Sequence, residues 1–525
     1  MLSARALGRH MYRAPFYTRG GVVASEHPIA SVIGAEVLKR GGNAFDAAVA
    51  TSLALAVTLP HLGGLGGDFF ALARLSSGEI VFINGSGYAP SKLTPELVRS
   101  RGFSSMPRRG PLAISVPGMV DGLHLLWKRF GSLEWRELVK PSAELAQRGF
   151  PASRSLAISI QSLLSELSGD PGWLSSYARR GRAPRTGDLM RFEGLARALE
   201  MIAEDPRSFY EGEVAEAIVS YVQERGGVLT LDDLRGYRAE EDRAIDIVYR
   251  GRRIYEMPPN TQGVTTLHML MLLEDGLDPR RIGPRSSERI ELFLRAARAA
   301  YWARDSYVTD PRFMKVGVEE LLSREFIERL RSAATRTGPR PPGDGDTTFF
   351  AVVDAEGNAV AGIQSLFYAF GSGVVEPRFQ VPLNSRASSF SLDPGHINRL
   401  EPGKKTMHTL SAVIVEDGDR VLVVGLSGGH YRPLLHAQLL TNLIDYSMDP
   451  QEAIEHPRFL WELWSDEISV EEGYDVGEGL RRRYRVTVRG YPSRLGVAAI
   501  AELRPGFRAG YCDIRGDGLP VGTPV

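Results

Sequence analysis

One junction places a nucleophile where it could act without a catalytic relay. Residues 335–346, TRTGPRPPGDGD, hold three prolines and three glycines and show no hydrophobic periodicity. Such a stretch reads as an exposed loop. TTFFAVVD follows at once, then AEGN, then AVAGIQSLF. Two β-rich runs around a short polar turn predict a hairpin. Taken locally, Thr347 is a strand residue of good β propensity and no more. The other reading is chemical. If the chain is cut before Thr347, the residue gains a free α-amine with a pKa of about 7.7–8. That amine can take the proton of the residue's own hydroxyl, so no His–Asp pair is needed. The loop gives slack for self-cleavage and the strand gives a rigid platform.

Two further features fit acyl transfer. If the turn closes with Val353 opposite Ala359, Thr347 falls opposite Ser365, and the two hydroxyls come within hydrogen-bonding range. LSGGH, residues 426–430, follows the apolar run VLVVGL. It offers the backbone N–H groups of Gly428 and Gly429 to a developing oxyanion, or it is only a glycine turn. No G-x-S-x-G elbow stands in a strand-to-helix setting, which argues against a Ser-His-Asp hydrolase.

These parts need a scaffold. Apolar residues at helical spacing from Ile29 to Leu38 predict a helix that stops at Gly41-Gly42-Asn43. Ala44–Leu59 is small and apolar all round and predicts a buried helix. GGLGGD (63–68) lacks the Lys-Ser/Thr of a phosphate loop and precedes a strand-like run. Residues 113–245 read as helical, as do Ser287–Tyr307, Glu319–Ala333 and His436–Tyr446. Short strands and glycine turns fill the stretch up to Gly429 and again 467–503. Helices flanking apolar strands predict a layered α/β arrangement.

Composition sets outer limits. The 525 residues carry 63 basic and 63 acidic side chains, which argues against a nucleic-acid binder. The single cysteine, Cys512, excludes an internal disulfide and a Cys-cluster metal site. The ten histidines show no HExxH spacing, so neither a metal nor an organic cofactor is expected. No apolar stretch approaches a membrane span and the N-terminus has no apolar leader core, so the expected location is the cytoplasm, with no membrane partner.

Several segments together resemble the γ-glutamyltranspeptidase family of N-terminal nucleophile hydrolases. They are GGVVASEHPIASVIGAEVLKRGGNAFDAAVA with GGLGGDFF, SVPGMVDG, MPPNTQG, GDTTFFAVVDAEGNAV, FGSGVV, SGGH and the DPQEAIEHPRF run, and they span nearly the whole chain. The resemblance implies a four-layer αββα (α+β) sandwich and autocatalytic cleavage between Asp346 and Thr347. It implies a large subunit, 1–346, and a small subunit, 347–525, intertwined in one structural domain as a heterodimer or a dimer of heterodimers. It makes Thr347 the nucleophile, Ser365 a helper hydroxyl and Gly428 with Gly429 the oxyanion hole. The implied substrate is a small-molecule amide, opened through an acyl-Thr intermediate by γ-glutamyltransferase or glutathione hydrolase activity.

The departures point toward the cephalosporin-acylase-like branch. Ser86 stands where γ-glutamyl enzymes carry an Arg for the substrate α-carboxylate. Phe367 replaces an Asn. Arg386 and Ser389 replace the Gln and Asp of the run that binds the α-amine. His408-Thr409 replaces a Ser-Ser pair. A guanidinium in place of a carboxylate disfavours an α-ammonium. Arg386, His408 and Thr409 are thus candidate substrate contacts. Arg386 either grips the distal carboxylate of a glutaryl-type acyl group or forms a structural salt bridge. His408 and His430 either line the pocket or are satisfied structural residues. The remaining alternative is an unprocessed binding protein.

Overall fold

Side-chain alternation along 346–353 sets the layers. In the computed structural model, which describes residues 13–332, 338 and 345–524, this stretch is the strand Asp346–Val353. Phe349, Ala351 and Val353 enter one core cluster, while Phe350 and Val352 enter another. A period of two with both faces apolar means a strand covered on both sides. Its sheet is antiparallel throughout, in the order Leu519–Gly522, Val22–Ser25, Asp346–Val353, Ala359–Phe367, Asp68–Arg74, Ile80–Gly85 and Glu240–Arg243. Segments from both sides of the Asp346–Thr347 junction are therefore interleaved within one sheet.

A second seven-stranded antiparallel sheet lies against it: Phe16–Thr18, Phe507–Cys512, Ala498–Arg504, Arg420–Leu426, Val413–Asp417, Arg252–Glu256 and Ile245–Tyr249. Val22, Phe70, Phe349, Ile363, Ile414, Val423 and Ala501 fill the space between the sheets. The outer face of the first sheet packs on a helical layer that includes Ala44–Thr58, every residue of which is buried. The outer face of the second packs on Gly263–Glu274, Ser287–Tyr307 and Arg432–Ile444. The result is the expected αββα sandwich.

The predicted first helix is Pro28–Lys39. Asn43 then caps the next one, with Asp46 completing a capping box. The linker predicted at 335–346 lies, apart from Gly338, Gly345 and Asp346, outside the described residues. The helical reading of 113–245 runs too far: Glu240–Arg243 is an edge strand on Ile80–Gly85. Its four side chains, EEDR, are exposed and charged, so no apolar alternation betrays it; charges at an open edge also discourage pairing with other chains. The helix predicted from His436 starts at Arg432, with Pro433 in its first turn. Among the described residues no helix is long and apolar enough to cross a membrane.

Candidate active site

The hairpin closes as the sequence suggests. Val353 pairs with Ala359, and the register holds to Thr348 opposite Gln364. It then slips, so that Asp346 faces Phe367 and Thr347 sits in the irregularity. Such a bulge re-aims one side chain at a strand end. Thr347 Oγ1 lies 3.4 Å from Ser365 Oγ, and both residues are buried. Ser365 Oγ donates to the carbonyl oxygen of Asp346 at 2.7 Å and accepts the N–H of Phe367 at 2.8 Å. One hydroxyl donor and two lone pairs are thereby used. Thr347 Oγ1 and the Asp346 carbonyl oxygen both touch Ser365.

The glycine turn follows the strand Arg420–Leu426. A Cβ on Gly425 would stand 2.4 Å from the ring of Phe349, so only glycine lets this strand lie against Asp346–Val353. Three residues on, Gly428 has φ 147° and Gly429 φ 48°. The Gly428 carbonyl accepts the N–H of Tyr431 at 2.8 Å, which turns the Gly429 N–H of the same peptide plane the opposite way. The Gly429 carbonyl accepts from Gln262 Nε2 at 2.8 Å, and the same amide group donates to Thr409 O at 2.7 Å. Arg304 Nη1 fixes the Gln262 oxygen at 3.0 Å. Gln262 belongs to MPPNTQG, which the sequence marks without showing what the amide holds.

Arg386, His408 and Thr409 converge, and on a residue the sequence reading passed over. Asp68 Oδ2 accepts Arg386 Nε at 3.1 Å and lies 3.0 Å from His408 Nε2. Arg386 Nη1 donates to Thr409 Oγ1 at 3.1 Å. Asp68, Arg386 and His408 are wholly inaccessible. The N–H of Leu410 donates to His408 Nδ1 at 3.2 Å, so Nε2 carries the proton given to Asp68. Burial and the nearby Arg386 push the His408 pKa down to about 3, so the ring is neutral at pH 7. Burial opposes ionisation of Asp68, but His408 and Arg386 outweigh it and hold its carboxyl below the ordinary range. Arg386 Nη2 has no partner among the described residues. The arginine thus sits in the structural ion pair that the sequence left as one of two options, with one N–H edge unspent.

The other departures have clear surroundings. Ser86 Oγ donates to Asn84 Oδ1 at 2.7 Å, and Asn260 Nδ2 reaches the same hydroxyl at 3.3 Å. Ser389 and His430 line a cavity of about 670 Å³ with Arg304, Asn398, Met407 and Phe390. The Ser389 hydroxyl and both ring nitrogens of His430 lack partners among the described residues. Burial and the guanidinium of Arg304 hold His430 neutral.

The γ-glutamyltranspeptidase family model matches residues 30–523. The chain belongs to the γ-glutamyltranspeptidase family. It is 38% identical over 527 residues to the glutathione hydrolase-like YwrD proenzyme of Bacillus subtilis, covering 95% of this chain and 98% of that one. It is 32% identical over 524 residues to the acylase ACY 1 proenzyme of Pseudomonas sp. strain SE83, covering 95% and 93%. The cephalosporin acylase structure from Bacillus halodurans superposes with a TM-score of 0.91 at 34% identity, over 100% of this chain and 99% of that one. The sandwich is accordingly the N-terminal nucleophile hydrolase fold, and the chain is an enzyme of the family's hydrolase and acyltransferase class.

Proposed function

We propose that the chain cleaves itself between Asp346 and Thr347 and then opens small amides through an acyl-Thr347 intermediate. The contact of Ser365 with both Thr347 Oγ1 and the Asp346 carbonyl carries this reading. In processing, Thr347 Oγ1 bonds to the Asp346 carbonyl carbon while the Ser365 hydroxyl steadies the oxygen. The Asp346–Thr347 C–N bond breaks and the leaving nitrogen takes the proton lost by Oγ1. Water hydrolyses the resulting ester to the Asp346 carboxylate and a free N-terminal threonine. Because strands from both fragments are interleaved in one sheet, the two remain together as a heterodimer.

In turnover the new α-amine takes the Thr347 hydroxyl proton and Oγ1 attacks the substrate carbonyl. The Gly428 and Gly429 N–H groups hold the oxyanion. The amine returns the proton to the leaving nitrogen, and water or an acceptor amine resolves the acyl-enzyme.

The acyl group we propose carries no α-amine. Ser86 offers only a hydroxyl, already engaged by Asn84, where a guanidinium would hold a γ-glutamyl α-carboxylate. Arg386 stands where an amine-binding partner would be and, held by Asp68, offers an α-ammonium no acceptor. Amides of glutaryl type fit these changes, as does the likeness to cephalosporin acylase. A γ-glutamyl amidase is the second reading, favoured by the likeness to a protein named glutathione hydrolase-like. Hydrolysis of glutaryl and γ-glutamyl anilides, side by side on processed enzyme, decides between them.

A further inference from the structure

The buried cluster around Asp68 touches both halves of the site. Asp68 is the cross-strand neighbour of Ser365, opposite it on the strand Asp68–Arg74. Its partner Arg386 places its guanidinium 4.3 Å from the ring centroid of Phe367. Phe367 supplies the N–H that holds Ser365 Oγ, and it does so at φ 81°. A bulky residue in that region is strained and persists only when its surroundings fix it. Arg386 lies on the ring, with Tyr368 and His430 as its aromatic neighbours. On its other side Arg386 grips Thr409 Oγ1, and the Thr409 carbonyl shares the Gln262 amide with the carbonyl of Gly429. The path Ser365–Phe367–Arg386–Thr409–Gln262–Gly429 is continuous, and Asp68 neutralises the one full charge in its middle.

We propose that the Asp68–Arg386 pair is a positioning device that fixes the Ser365 hydroxyl and the Gly428–Gly429 turn relative to each other, and is not a substrate ligand. This rests on Thr347 being the nucleophile. Because the pair acts through Phe367 and Thr409, it serves both self-cleavage and turnover, whatever the acyl group.

The test is the double variant Asp68→Asn/Arg386→Gln, which removes both charges and leaves neither buried alone. The processing half-time is followed by intact mass on newly synthesised chain. kcat and KM are then measured on anilides with anionic and uncharged acyl groups. The expected result is processing slowed by about tenfold or more, and kcat lowered by a similar factor on every anilide, as misplacement by a fraction of an ångström does. KM stays within about twofold, because no substrate contact is lost. A KM rise confined to anionic acyl groups would overturn the proposal by making Arg386 a ligand. Wild-type rates throughout would overturn it too. Thr409→Val, which keeps every charge, gives the same readouts should the double variant not fold. A wild type that never cleaves overturns the proposed function and this inference together; a cleaving wild type beside an unaffected variant overturns this inference alone.

Discussion

The Ser365 hydroxyl donates to the carbonyl of Asp346, the residue before Thr347, at 2.7 Å. The same oxygen lies 3.4 Å from Thr347 Oγ1. A donor aimed at the oxygen of the peptide to be cut stabilises the charge that develops there. Loss of one such donor costs about 10²–10³ in rate. Ser365→Ala is therefore expected to slow self-cleavage by that order, with Ser365→Thr recovering most of it. Precursor half-times by intact mass measure this, and an alanine variant that cleaves as fast as the wild type would remove Ser365 from the mechanism.

Acyl preference follows from Ser86, whose engaged hydroxyl gives a substrate α-carboxylate no cationic partner. Losing one charge-assisted hydrogen bond costs about 1.5–3 kcal/mol, or about ten- to hundredfold. Processed enzyme should show kcat/KM at least about tenfold higher on a glutaryl anilide than on its γ-glutamyl counterpart. Faster turnover of glutathione or the γ-glutamyl anilide would restore the γ-glutamyl reading.

Acid should destabilise the fold above the range where carboxylates titrate. Burial lowers the pKa values of His27 and His268 to about 4 and of His408 and His456 to about 3. Between those values and about 6.5, the unfolded chain binds protons that the folded chain refuses. Stability therefore falls as pH drops through that window, by on the order of 1 kcal/mol per pH unit for each group. Glu26, Asp346, Glu376 and Asp445 work the other way, since burial raises their pKa values, but among the described residues they are four groups against nine histidines whose pKa values burial lowers. Calorimetry should show Tm lower at pH 4.5 than at pH 7; an equal or higher Tm at pH 4.5 would contradict this account of the buried histidines.

The hairpin was legible because TTFFAVVD and AVAGIQSLF are apolar on both faces and flank a turn that Asp354 holds, its Oδ1 accepting the N–H groups of Glu356, Gly357 and Asn358. The register slip at Thr347 was not, since a bulge leaves no mark in side-chain type. Gly428 and Gly429 announced themselves by needing conformations that other residues avoid. Asp68 did not: its partners lie 318 and 340 residues away, and in GGLGGD it reads as one more turn residue. Arg386 showed its charge in the sequence but not its counter-ion. The strand Glu240–Arg243 was missed because its stability comes from pairing at a sheet edge and not from burial.

The account stands on cleavage before Thr347, and intact mass spectrometry of freshly purified protein beside Thr347→Ala tests it most directly. Dividing 57.7 kDa by residue share at that bond gives fragments of about 38 and 20 kDa. The account predicts that pair for the wild type, with the smaller fragment beginning at Thr347, and a single species of 57.7 kDa for the variant. A wild type that stays whole on long incubation, or a Thr347→Ala variant that still divides at the same bond, would contradict it.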